Sequence, residues 1–198
     1  MMATELKHRG FVWHGWPHLF ILLFAFLAGV VSGFLLVFLG GRNQDVQSYL
    51  LDRFSYATNG GLHVSFFSAV WECVRWPLFV LIFSFHTLGI LAIPALICIR
   101  GFLLSYAISV LSFTFPLDGL IISIVLFATT VLLIVPILFL WGSEGLCSLA
   151  LRRFSASSGQ GRFRIEVILI GIGALLVAIA VQWALIPFVF NFVCAQLY

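Results

Sequence analysis

Arg100 interrupts an apolar tract that runs from about Trp76 to Ser112, and no other residue in the sequence carries a larger chemical consequence. A charged side chain near a bilayer centre costs roughly 2.5 to 3.5 kcal/mol on insertion scales, so it must find a partner, water or a path to the surface. Glu144 is one candidate partner, and carbonyls freed at a helix break between Gly89 and Pro94 are another; a bound substrate or partner protein is the remaining alternative. His86 lies in the same tract with no nucleophile at a suggestive spacing. His8, His14 and His18 are mixed with Lys7, Arg9, Trp13 and Trp16, a membrane-interface composition that calls for no metal. Cys73, Cys98, Cys147 and Cys194 stand singly, without a CxxC pair, and read as small apolar side chains. The sequence holds no GxSxG, HExxH or Walker loop, and its seven carboxylates are scattered. The expectation is a chain with no catalytic residues, no cofactor and no metal.

The elements that must position Arg100 are set by composition. Of 198 residues 63% are hydrophobic and 9% charged, against about 25% charged in soluble domains, so the solvent is a membrane. A net charge of +3, with arginines grouped around the apolar segments, suits anionic lipid headgroups and not nucleic acid. The expected fold is an all-α polytopic transmembrane helical bundle of about five spans, near residues 19–39, 71–89, 94–113, 120–141 and 165–192. Residues 41–70 form a loop with an amphipathic helix between the first two spans, and 142–164 an Arg-rich linker; the whole is one membrane domain. Ser65 is a candidate cap for the second helix.

The tract from Trp76 to Ser112 would be about 55 Å long as one helix, nearly twice the hydrocarbon core, so it must fold back. Gly89 and Pro94 are the expected break, which puts Arg100 roughly 9 Å into its span, within snorkelling reach of the cytoplasmic side. Ala25, Gly29 and Gly33 recur every four residues in the first span, and Gly101, Ser105 and Ser109 do so beside Arg100. Both are small-residue stripes suited to close helix or subunit packing, a homodimer included. Lys7, Arg9, Arg152, Arg153, Arg162 and Arg164 share the side of the N-terminus, against Arg42, Arg53 and Arg75 on the other. The expected orientation is N-terminus inside and C-terminus outside. A four-span arrangement with both ends outside is the rival.

Trp71-Glu72-Cys73-Val74-Arg75-Trp76-Pro77, then Leu88-Gly89-Ile90, Ile93-Pro94-Ala95-Leu96 and Arg100-Gly101-Phe102-Leu103-Leu104, resemble the stage II sporulation protein M family of bacterial membrane proteins. The motifs are short and hydrophobic, though the likeness spans most of the chain. The resemblance implies a non-enzymatic scaffold of the cell membrane that acts in endospore engulfment. Its partners would be two peptidoglycan-degrading enzymes, stage II sporulation proteins D and P. It supplies no catalytic residue. A transporter or permease-like subunit is the alternative, weakened by a thin polar inventory within the spans and by the lack of a visible internal repeat.

Overall fold

Length and hydropathy alone require several helices, because backbone polar groups in lipid must be satisfied within the segment. The computed structural model describes residues 2–40, 65–114, 120–121, 123–124, 127–128, 130–154, 165–185 and 188. The described residues are all helical apart from short turns, and five helices are long and apolar enough to cross a membrane. They are α1 (Met2–Gly40), α2 (Phe66–Phe85), α3 (Gly89–Thr114), α4 (Val135–Phe154) and α5 (Ile165–Ala180). A π turn, Thr130–Ile134, leads into α4, and a second, Val181–Leu185, continues α5. The expected amphipathic helix before Ser65, the turn at 115–119, the Ser/Gly-rich linker at 155–161 and the tail lie outside the described residues.

The close pairing of α1 with α3 is the most extensive in the bundle. A Cβ on Gly29 would collide with the Cys98 carbonyl oxygen, one on Gly33 with that of Phe102, and one on Gly101 with that of Phe26. The glycines of both small-residue stripes thus lie in one α1–α3 seam, each against the backbone of the other helix. Further along, Ser105 and Ser109 are buried and line a cleft of about 600 Å³ between the same helices, with Val30, Phe34 and Leu104.

The fold-back is not where Pro94 suggested. Phe85 ends α2, residues 86–88 make the turn, and α3 begins at Gly89 and runs through Pro94 unbroken. The turn is closed by the Gly89 N–H donating to the His86 carbonyl at 2.9 Å and by the Ala92 N–H donating to that of Leu88 at 3.0 Å. Gly89 itself is required, since a Cβ there would strike the Phe83 carbonyl oxygen. Pro94 lies two residues beyond Ala92, whose N–H already bonds to Leu88, so it leaves the Ile90 carbonyl without its helical donor, and the helix runs on regardless. Ser65 does occupy the N-cap of α2, but its side chain makes no capping bond. That helix begins at Phe66, so residues 66–70 belong to it and not to the preceding loop.

Trp141 does not end the fourth helix, which continues through Gly142, Glu144 and on to Phe154. The indole is buried at the centre of the core with Leu22, Val80, Ile93, Ile97, Ile137 and Leu138. Its N–H donates to the Val167 carbonyl at 3.1 Å, and Gly171 of α5 leaves the space the ring occupies. Replacing Trp141 by Phe keeps an aromatic ring but orphans that bond. The expected loss is about 1 kcal/mol, read as a lower unfolding temperature in detergent; an unchanged transition would remove the bond from the account.

Candidate functional site: a polar layer inside the bundle

Arg75 stands ten residues before Phe85, and Arg100 stands eleven after Gly89. At helical rise both are about 15 to 16 Å from the turn that joins their helices, so they reach the same depth, near the middle of a bilayer. Arg100 is therefore deeper than a break at Pro94 would place it, and too deep for an easy snorkel to the near surface. Its helix also starts five residues earlier than expected.

Arg100 is half-buried and donates from Nη2 to the Thr130 hydroxyl at 3.4 Å. Its guanidinium lies over the Trp76 ring, 5.4 Å from the centroid, and that of Arg75 lies over the same ring at 5.6 Å. Arg75, Glu72 and Cys73 are close enough to act on the Arg100 charge. The Gln182 amide donates to Glu72 Oε2 at 3.0 Å and accepts from Cys73 Sγ at 3.4 Å. Four of the five helices, with their π turns, thus contribute to one layer: Glu72, Cys73, Arg75 and Trp76 from α2, Arg100 from α3, Thr130 before α4 and Gln182 after α5.

Thr130 and Gln182 each lie in a π turn. The first precedes Pro136, which cannot donate to the carbonyl four residues back and so favours a local widening of the helix. Such turns place polar side chains at angles that regular α-helix would not. None of the family models, curated proteins or solved structures compared with the chain matches it. The geometry therefore has to be read by itself.

Glu144 is not the partner of Arg100. It stands fourteen residues beyond Thr130, about 21 Å along the helix, and Thr130 is the residue that Arg100 reaches. Nor does a carbonyl near Gly89 or Pro94 accept from it: the helix is continuous there, and Ile90, whose carbonyl Pro94 leaves without a helical donor, lies about 15 Å away along the axis. Of the seven residues singled out in the sequence, Gly101, Ser105 and Ser109 share the α1–α3 contact, Gly89 shapes the turn, and Arg100 alone joins the polar layer. Sequence reasoning missed Glu72, Cys73, Arg75, Trp76, Thr130 and Gln182 as members. The available signal was the spacing of Glu72 and Arg75, opposite charges three residues apart on one helix face, which can sit inside a span where a lone charge cannot.

Proposed function

We propose that this chain is a non-catalytic multi-pass subunit of the bacterial cell membrane that anchors or localises partner proteins. The observation that carries the reading is the glycine seam between α1 and α3, where backbone meets backbone. Helices interlocked in this way hold one shape, as an anchor requires, whereas alternating access needs one part of a bundle to rock against another. The resemblance to the stage II sporulation protein M family supplies the partner class, peptidoglycan-remodelling enzymes, and the process, endospore engulfment; both rest on its motifs alone. With Arg75 inside a span, the six positive charges on the N-terminal side face only Arg42 and Arg53 on the other. That supports an internal N-terminus and an external C-terminus, and a reporter fused near Met1 tests it directly.

A transporter or permease-like role is the second reading, favoured by two arginines at mid-depth. Two measurements separate them. Purified chain in vesicles should bind partner hydrolases without moving solute, and solute movement there would overturn the anchor. Replacing Arg100 with Leu should leave insertion intact, since the change favours lipid, yet lower the recovery of partners from detergent extracts, because Arg100 ties α3 to Trp76 and Thr130. Normal recovery would count against this role for Arg100.

A further inference from the structure

Three N–H groups of the polar layer are buried and have no hydrogen-bond partner among the described residues: Nε of Arg75, Nε1 of Trp76 and Nε of Arg100. They belong to one place, because both guanidinium groups lie over the Trp76 ring. Guanidinium and indole nitrogens can only donate, so none of the three can satisfy another. What completes them is an acceptor. Leaving buried donors unpaired costs about 1 to 3 kcal/mol each, and more when the group is charged.

Charge points the same way. Arg75 and Arg100 bring two cations to the layer, and Glu72 brings one carboxylate, one of whose oxygens already accepts from Gln182. Among the described residues one positive charge is left over inside a membrane span, where its cost is largest. Water would supply an acceptor but no charge. A doubly charged phosphate or sulfate would reverse the imbalance instead of removing it. A singly charged acceptor meets both needs, and the Thr130 hydroxyl, which accepts from Arg100, keeps its own proton to donate.

We propose that Arg75, Trp76 and Arg100 form a binding site for a small monovalent anion, a halide or a carboxylate, in the middle of the bundle. This goes beyond the anchoring role and is measured without partner proteins. The full chain, purified in detergent, is dialysed to equilibrium against labelled chloride or labelled formate, with sulfate holding ionic strength constant. The expected result is saturable binding at one site per chain. Competition between the two ions assigns a site open to carboxylates, and chloride binding without competition assigns a halide site. Arg100→Gln should weaken binding roughly tenfold or more, and Trp76→Phe, which keeps the ring and removes only its N–H, by about threefold. Absence of saturable binding of either ion to the unaltered chain overturns the proposal. So does undiminished binding in Arg100→Gln or, if that variant fails to fold, in Trp76→Phe.

Discussion

Replacing Gly29 with Leu is expected to separate α1 from α3 and to lower the unfolding temperature of the detergent-solubilised chain by about 6 to 12 °C. The figure corresponds to about 3 kcal/mol, the upper end of ordinary overpacking costs, at about 2 to 4 °C per kcal/mol for a chain of this size. The upper end applies because the atom in the way is the Cys98 carbonyl oxygen, part of a helix backbone that cannot turn aside as a side chain would. In lipid the penalty has no offset, since helix association there depends on close packing and not on apolar transfer from water. Gly40 and Gly173 provide the control: a Cβ at either meets nothing within 4 Å. Alanine at Gly173 should stabilise slightly, by about 0.5 to 1 kcal/mol, through the ordinary helix preference. If Gly29→Leu and Gly173→Ala melt together, the seam does not hold the bundle.

The second large effect is expected at Glu72. It is the one carboxylate seen beside Arg100 among the described residues, and because it is exposed its loss should cost less than the roughly 3 to 5 kcal/mol of a fully buried set of charges. Glu72 is exposed at the bundle surface, but it stands within a span, where lipid and not water lies against it. Glu72→Gln keeps the shape and removes the charge, leaving two guanidinium groups around Trp76 with no counter-charge among the described residues. The double variant Glu72→Gln with Arg75→Gln restores the former balance, so much of the loss should return, and the two changes should be far from additive. Thermal unfolding of the two single variants and the double variant reads this directly. Additive losses would mean that the carboxylate and the guanidinium groups act independently.

The first span and both small-residue stripes were legible because each signal is local: a continuous apolar run, and glycine or serine every fourth residue. That both stripes line the same seam needed the fold, since nothing in spacing says which helix faces which. The second span was misplaced for a physical reason. Reading charge as a mark of the interface sets Glu72 and Arg75 in the first turns of a span at 71–89, whereas the bundle places them near the middle of Phe66–Phe85, beside residues of other helices. The same habit put the end of the fourth span at Trp141, because Gly142, Ser143 and Glu144 look like an interface sequence. In the structure Gly142 is needed inside, for a Cβ there would press on Leu22, Ile93 and Ile97. Pro94 misled as a breaker, because a proline inside a transmembrane helix removes one backbone bond without ending the helix.

The two π turns have a further implication for how the layer tolerates change. Each holds roughly one residue more per turn than the helix around it, so five residues there cover about the same angle as four in regular helix. Deleting one residue between Thr130 and Ile134 would therefore let the segment relax to regular helix with its flanks still in phase. Deleting one from the regular helix beyond it, between Pro136 and Leu140, would instead swing Thr130 by about 100° relative to the rest of α4, off Arg100. The same loss between Gly173 and Ala178 would swing Gln182 away from Glu72. Side-chain chemistry in this protein is thus aimed by backbone winding number, and the loss of one residue outside the π turns, with every polar group in the sequence intact, would still dismantle the layer.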